Sequence, residues 1–215
     1  MRLIATPTDS NSPATFRSNI YRILALSFAP PRTESKNLYV AILEALAILR
    51  STGADPSEGV RFSDLSREHL RLFVGPGHIQ CPPYEAVYRK DKPLLEKGLV
   101  MGPSMADVRR RYAEANVAMS QKFTDLPDHI AVEMEFMYFL CIEESKFTEQ
   151  RNNEELSKIR KMQQEFLDEH LKPWVNDFAN CVLQSSNSSF FKASANLLKA
   201  FIESESEHFR EGERQ

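Results

Sequence analysis

The stretch from Leu126 to Ile142, LPDHIAVEMEFMYFLCI, limits the fold of this chain more than any other. Wound as a helix, it carries Ile130, Met134, Met137 and Cys141 on one stripe and Val132, Phe136 and Phe139 on another, so it is apolar around most of its circumference. Such a helix is wrapped by neighbours, and a bundle built around it follows. Asp125 or Leu126 is expected as its N-cap, with Pro127 in the first turn and Asp128 at the positive end of the helix dipole. His129 and Glu133, four residues apart, project from one face. Polar groups on so apolar a helix cost free energy unless they have partners or a use.

A chain of 215 residues can bury a core without staples, as one domain or as one domain with two lobes. The net charge of −3 gives no electrostatic footprint for nucleic acid and no polybasic membrane anchor. Cys81, Cys141 and Cys181 are odd in number, far apart and without C-x-x-C spacing. Neither a disulfide framework nor a thiolate zinc site is expected, and the reducing cytoplasm is the expected compartment. The opening MRLIATPTDSNSPATFR lacks the apolar core of a signal peptide, and no run of about 18 apolar residues suggests a span.

Along the chain, Ser12 and Pro13 open a helix carrying Phe16, Ile20, Leu24 and Phe28, which Pro30 and Pro31 stop. Thr33 or Ser35 caps a second, with Leu38, Ile42, Leu46 and Leu49 on one face, ending around Ser51 to Gly53. Residues 54 to 61 form a polar loop, and a third helix from Ser63 runs to Gly75. The segment GPGHIQCPPYEAVYR, 75 to 89, has two glycines and three prolines, so it reads as irregular. Its Ile79, Cys81, Tyr84, Val87 and Tyr88 must nonetheless pack onto the helical body.

Residues 90 to 102 are a charged connector, and Ser104 caps a helix that turns Val108 and Tyr112 inward and Arg109, Arg110 and Arg111 mostly outward. A break is expected between Lys146 and Asn153, then a long amphipathic pattern from Glu154 to Ala179 that Pro173 kinks or splits. After SSNSS at 185 to 189 comes a last helix with Phe190, Phe191, Leu197, Leu198 and Phe201. No period-two strand pattern occurs. The expected fold is all-α with eight to ten helices, occupying residues 12–203 between a flexible N-terminus (1–11) and a polar tail (204–215) that frays.

Several chemistries can be weighed on residue type and spacing. His129 and Glu133 could be half a metal site, and Glu205-x-x-His208 has di-iron spacing, but no matching halves accompany them. Gly75-x-Gly77 lacks the third glycine, the lysine and the preceding strand of a phosphate loop. Cys81 near His78 is the one local nucleophile–base pair, and a packed cysteine is the simpler reading. A nucleotide-binding protein or hydrolase using Asp128 and His129 is the alternative functional class. For Asp128, His129 and Glu133 the plainest role is capping and satisfying backbone groups. Against it stands the proline-rich aromatic segment. Together with the helix it could wall a peptide groove, with Tyr84 and Tyr88 either lining it or filling core. From Leu126 to Lys172 there are 11 acidic and 6 basic residues, a balance that would steer a basic peptide there.

These residues carry a family resemblance. Leu72-Phe73-Val-Gly-Pro76, Pro82-Pro83-Tyr84-Glu85-Ala-Val-Tyr88, Gly102, Tyr112, Leu126-Pro127-Asp128-His129 continuing to Glu133 and Phe136-Met137, then His170-Leu171 and Trp174 run in family order across about residues 14 to 200. The chain resembles the TorD/DmsD family of redox-enzyme maturation chaperones, with NarJ-type chaperones as more distant relatives. Ala86, Asn116, Tyr84 and Tyr88 depart from residues common in that family, which bears on the identity of the client.

The resemblance implies an all-α cytoplasmic chaperone, not an enzyme. It would bind the twin-arginine signal peptide of a molybdenum-cofactor oxidoreductase subunit and hold that subunit until the cofactor is inserted. It further implies a monomer or domain-swapped dimer hinged near 90 to 125 and at most weak GTP binding, and the missing half-sites add the expectation of no metal. The client site would comprise Pro83, Tyr84, Glu85, Tyr88, Gly102, Asp128, His129, Glu133 and Phe136. Glu133 and its acidic neighbours would meet the arginines, and Tyr84, Tyr88 and Phe136 would shield the apolar part.

Overall fold

The computed structural model describes residues 13–31, 35–49, 62–89, 103–118 and 125–212. The expectations for the N-terminus at 1–11, the loop at 54–61 and the connector at 90–102 lie outside these residues. In order come α1 (Pro13–Phe28), α2 (Ser35–Ile48), α3 (Phe62–His69), a π-turn (Leu70–Val74), α4 (Glu85–Tyr88) and α5 (Pro103–Glu114). Then follow α6 (Ile130–Glu149), α7 (Asn153–Phe166), a second π-turn (Leu167–Leu171), α8 (Val175–Ser185) and α9 (Ser189–Gly212). Among the described residues there is no strand, only an isolated antiparallel bridge between Tyr84 and His129.

The apolar helix lies at the centre, as its pattern requires. α1 packs along α6 on one side and α7 on another, while α9 lies against α8, α2 and α1. Ile130, Met134, Met137, Leu140 and Cys141 are fully enclosed, and Glu135 is the exposed residue in the first half of α6. Two aromatic clusters fill the space around it. Phe28, Phe73, Phe178 and Phe191 meet largely edge to face, and Tyr112, Phe136 and Phe166 form the second. Such contacts add roughly 0.5–1.5 kcal/mol each beyond area burial. No helix among the described residues is long and apolar enough to cross a membrane.

The boundaries of α6 differ from the sequence expectation. Its N-cap is His129, not Asp125 or Leu126. Pro127 and Asp128 form the turn before it, because Asp128 is held by α4 and not by the α6 dipole. At the other end the helix continues through Lys146 to Glu149, and the break shrinks to Gln150–Asn152. Arg151 takes a left-handed φ of 53° there, and Asn152 caps α7 by accepting the Glu155 N–H. Pro173 splits the long pattern: α7 passes into its π-turn, and α8 starts at Val175.

The tail is a larger correction. The segment from Glu203 does not fray; it continues α9 to Gly212, because Glu205 has a buried partner 188 residues away. Arg17 on α1 donates from Nε to Glu205 Oε1 at 2.7 Å, from Nη2 to Glu205 Oε2 at 2.8 Å, and from Nη1 to Glu144 Oε2 on α6 at 2.8 Å. Nη2 also reaches Gln163 Oε1 on α7 at 2.6 Å, and Tyr21 donates to Glu205 at 2.8 Å. One guanidinium thus joins four helices in a site where Arg17, Glu144, Gln163 and Glu205 are all buried. Glu205 is bound to Arg17, so the Glu205-x-x-His208 spacing marks a strut, not a metal ligand pair.

The cysteines also depart from expectation. Cys81 and Cys181 are joined by a disulfide across 100 residues, and Cys141 stays free and buried. Sequence spacing could not show this, since the bulk of the bundle lies between the two positions. With two of the three cysteines paired, cysteine usage does not point to a reducing compartment.

Removing one partner of the Arg17 network leaves a buried charge uncompensated. Glu205→Ala should cost about 3–5 kcal/mol in chemical denaturation. A loss within about 0.5 kcal/mol, the range of an ordinary surface substitution, would mean that the end of α9 contributes nothing to the fold.

Candidate functional site

Two sequence segments meet at the start of α6. Pro82 and Pro83 have no N–H to give, so the segment before α4 cannot enter a helix and lies extended against the body. Its hold is made of main-chain bonds: the Cys81 N–H donates to Leu72 O at 2.8 Å, the Ile130 N–H to Pro83 O at 2.9 Å, and the Glu85 N–H to Asp128 O at 3.0 Å. Asp128 Oδ2 then accepts the Ala86 N–H at 3.2 Å, capping α4, while His129 Nδ1 accepts the Ala131 N–H at 3.0 Å, capping α6. Adjacent residues thus close the ends of two helices. From α5, the Tyr112 hydroxyl donates to Pro127 O at 2.8 Å. At the rim the Tyr84 hydroxyl donates to Asp125 Oδ1 at 2.8 Å, and the Tyr84 ring stands edge-on to His129.

Beneath this clamp lies a buried acidic group. Glu85, Asp128 and Glu133 are each fully enclosed. Glu85 is compensated: Arg89 donates to its Oε1, and His170 Nδ1 lies 3.1 Å from its Oε2. Arg89 is tied further to Glu169 O at 2.6 Å. Glu133 has no hydrogen-bond partner at either oxygen, and neither has Asp128 at Oδ1. Burial, then the charges of Glu85 and Asp128, push the Glu133 carboxyl well above its usual range. Burial pushes Asp128 up to about 6, the Ala86 bond opposing. His129 goes the other way, to about 4, because burial penalises its cation. Burial and the bond to Asp125 raise the Tyr84 phenol.

The expected site residues therefore divide in two. Pro83, Tyr84, Glu85, Tyr88, Asp128, His129, Glu133 and Phe136 all come together around the α4–α6 junction, and Gly102 lies outside the described residues. Tyr84 and Tyr88 are partly exposed. Tyr88 stacks on Trp174 and Phe136 packs on Tyr112 and Phe166, which makes both parts of the core. Glu133 is wholly buried and Phe136 lies against Tyr112 and Phe166, so neither meets a peptide in this arrangement. Asp128 and His129 act as caps through Oδ2 and Nδ1, the plainer of the two roles their sequence position suggested.

Sequence reading passed over several neighbours. Asp125, taken as a helix cap, is the rim acceptor for Tyr84. His69 is buried with burial lowering its pKa; nothing in its surroundings in the chain signals this. Arg89 could have been found, since it stands four residues after Glu85 on one helical face. Asp107, Glu169 and His170 bring donor atoms within 4.8 Å of one another. Arg110 and Arg111 occupy the two carboxylates, however, supplying the positive charge that a cation would bring. Arg110 and Arg111 are thus partly a local ion-pair network.

An all-α bundle whose buried central helix is met at its start by a Pro-Pro-aromatic segment defines a recognisable class. The chain belongs to the family described as the nitrate reductase delta subunit, whose model matches residues 35–180. Among curated proteins it is similar to the chaperone protein TorD of Vibrio cholerae serotype O1 (strain ATCC 39315), 26% identical over 140 residues, 65% of this chain and 60% of that protein. It is also similar to TorD of Photobacterium profundum, 28% identical over 140 residues, 65% and 61% of the two chains. The selenate reductase assembly chaperone protein of Thauera selenatis matches at 29% identity over 115 residues, 53% and 55%. The matched region spans about three fifths of the TorD proteins. These relatives are named as chaperones, not enzymes. A candidate redox enzyme maturation protein from Archaeoglobus fulgidus shares the fold, with TM-score 0.54, 22% identity, and 86% of this chain and 91% of that one covered.

The two caps titrate in opposition. Asp128, with its pKa raised in the fold, contributes stability that is complete below about pH 3.8 and is lost as pH rises through about 6. His129, with its pKa depressed, contributes stability that is complete above about pH 6.5 and is lost as pH falls through about 4. Each effect is on the order of 3 kcal/mol. Relative to wild type, His129→Asn should gain stability as pH falls from 6.5 to 4, and Asp128→Asn should gain as pH rises from 4 to 6. Denaturant titrations across this range check both; parallel curves for all three proteins contradict the burial of these groups.

Proposed function

We propose that this protein is a cytoplasmic maturation chaperone for a molybdenum-cofactor oxidoreductase subunit, binding that subunit's twin-arginine signal peptide and holding it until folding is complete. One observation carries the reading. The Pro-Pro-Tyr-Glu segment and the Leu-Pro-Asp-His turn, remote in sequence, are built into one clamp by the Tyr84–His129 bridge and the paired caps. The names of the similar proteins, TorD chaperone and selenate reductase assembly chaperone, support redox-enzyme assembly as the task.

The ligand suits the surface chemistry. A twin-arginine signal peptide brings a basic region followed by an apolar stretch, and the rim presents Asp125 and the Tyr84 phenol beside partly exposed Leu126 and Pro82. The arginines meet Asp125 first, since Glu133 lies beneath the closed segment. The acidic excess between Leu126 and Lys172 steers the basic end toward this face.

Calorimetry with a synthetic twin-arginine signal peptide tests the reading. Tyr84→Ala and Asp125→Asn should each weaken binding about tenfold, or 1.4 kcal/mol, with helicity unchanged and Tyr84→Phe affected less. Asp128→Ala and His129→Ala should instead each lose about 1 kcal/mol of stability as lost caps. Unchanged affinity in both rim variants would overturn the site.

A further inference from the structure

We propose that Cys81 and Cys181 form a reversible thiol–disulfide latch that controls whether the segment from Gly75 to Arg89 can lift from α6 to admit a client. The inference rests on reading that segment as the client-binding element.

Position carries the argument. Cys81 immediately precedes Pro82-Pro83-Tyr84, and its disulfide partner stands on α8, a helix packed into the body through α9. The segment's other holds are the hydrogen bonds to Leu72, Asp128, Ile130 and Asp125, the Glu85–His170 and Arg89–Glu169 contacts at its far end and the stack of Tyr88 on Trp174, all non-covalent and able to open and re-form. Among the described residues the disulfide is the one covalent tie across this seam. What the segment covers is what a basic peptide would use: the buried Glu133 carboxyl, beside those of Glu85 and Asp128. Uncovering Glu133 relieves the crowding of three buried carboxyls and brings one of them to water.

The two sulfurs differ in access. Cys181 is partly exposed, whereas Cys81 is wholly buried. An incoming thiolate attacks Cys181 Sγ, the bond between the two protein sulfurs breaks, and Cys81 leaves as a thiolate that takes a proton. A second thiol resolves the mixed disulfide. The sum converts one protein disulfide and two small thiols into two protein thiols and one small disulfide, and the reverse reaction with a disulfide of the glutathione class closes the latch. Cys141 takes no part: it is buried, and burial raises its thiol pKa far above the working range.

The test uses the full chain, air-oxidised or treated with dithiothreitol, with Cys181→Ser as a permanently open form. Thiol titration under denaturant should count one cysteine in the oxidised protein and three after reduction. Amide exchange from Ile79 to Arg89 should quicken at least about tenfold on reduction and in Cys181→Ser, with Met134 to Leu140 unchanged. The signal peptide should bind the open forms about tenfold more tightly. Three thiols in the oxidised sample, or equal exchange in both forms, overturns the latch. Equal affinity in the two forms overturns the gate while the client reading stands, and binding by neither form overturns the client reading itself.

Discussion

Everything at the candidate site depends on how α6 begins. A helix enclosed on all sides must have its first N–H groups satisfied without water, and here the His129 side chain, the His129 carbonyl and the Pro83 carbonyl meet that demand. His129 closes α6, Pro83 accepts from Ile130, and Asp128 turns away to close α4. The price is a set of carboxyls and an imidazole removed from solvent. The proline-rich segment cannot be displaced without exposing those groups together, which couples the local backbone geometry to any peptide that competes for it.

A second buried network sits toward the far end of the same helix. Arg17, Glu144, Gln163 and Glu205 hold α1, α6, α7 and α9 in one arrangement, and Arg160 supplies the second cation by donating to Glu144. The contrast with the α4–α6 junction is physical. The Arg17 cluster is fully paired, as rigid polar cores are, whereas the Asp128–Glu133 region leaves oxygens without partners. Unpaired buried groups concentrate where a structure is poised to change or to bind.

Much of the fold was legible in the sequence because periodicity reports burial. The apolar circumference of Ile130 to Cys141 placed α6 at the centre, and the prolines at 30, 31 and 173 marked ends that the structure keeps. What failed were features set by distant partners. ESESEHFREGERQ is polar by composition, yet Glu205 is drawn inward by Arg17, which no local window contains. Cys81 and Cys181 pair only once α8 has packed. At the site, the association of Tyr84 with the Asp128–His129 turn was foreseen. The division into an exposed rim and a covered acidic floor was not, because whether Glu133 faces peptide or core depends on a segment whose irregular path has no sequence period.

The picture of a segment clamped over α6 as the client element is tested most directly by backbone amide chemical shifts recorded while a twin-arginine signal peptide is added to the reduced chain. Shifts concentrated in residues 79–89 and 125–136, with the Arg17 cluster silent, are the result expected. Shifts confined to other surfaces, with Tyr84, Asp125 and the start of α6 unmoved, would contradict it.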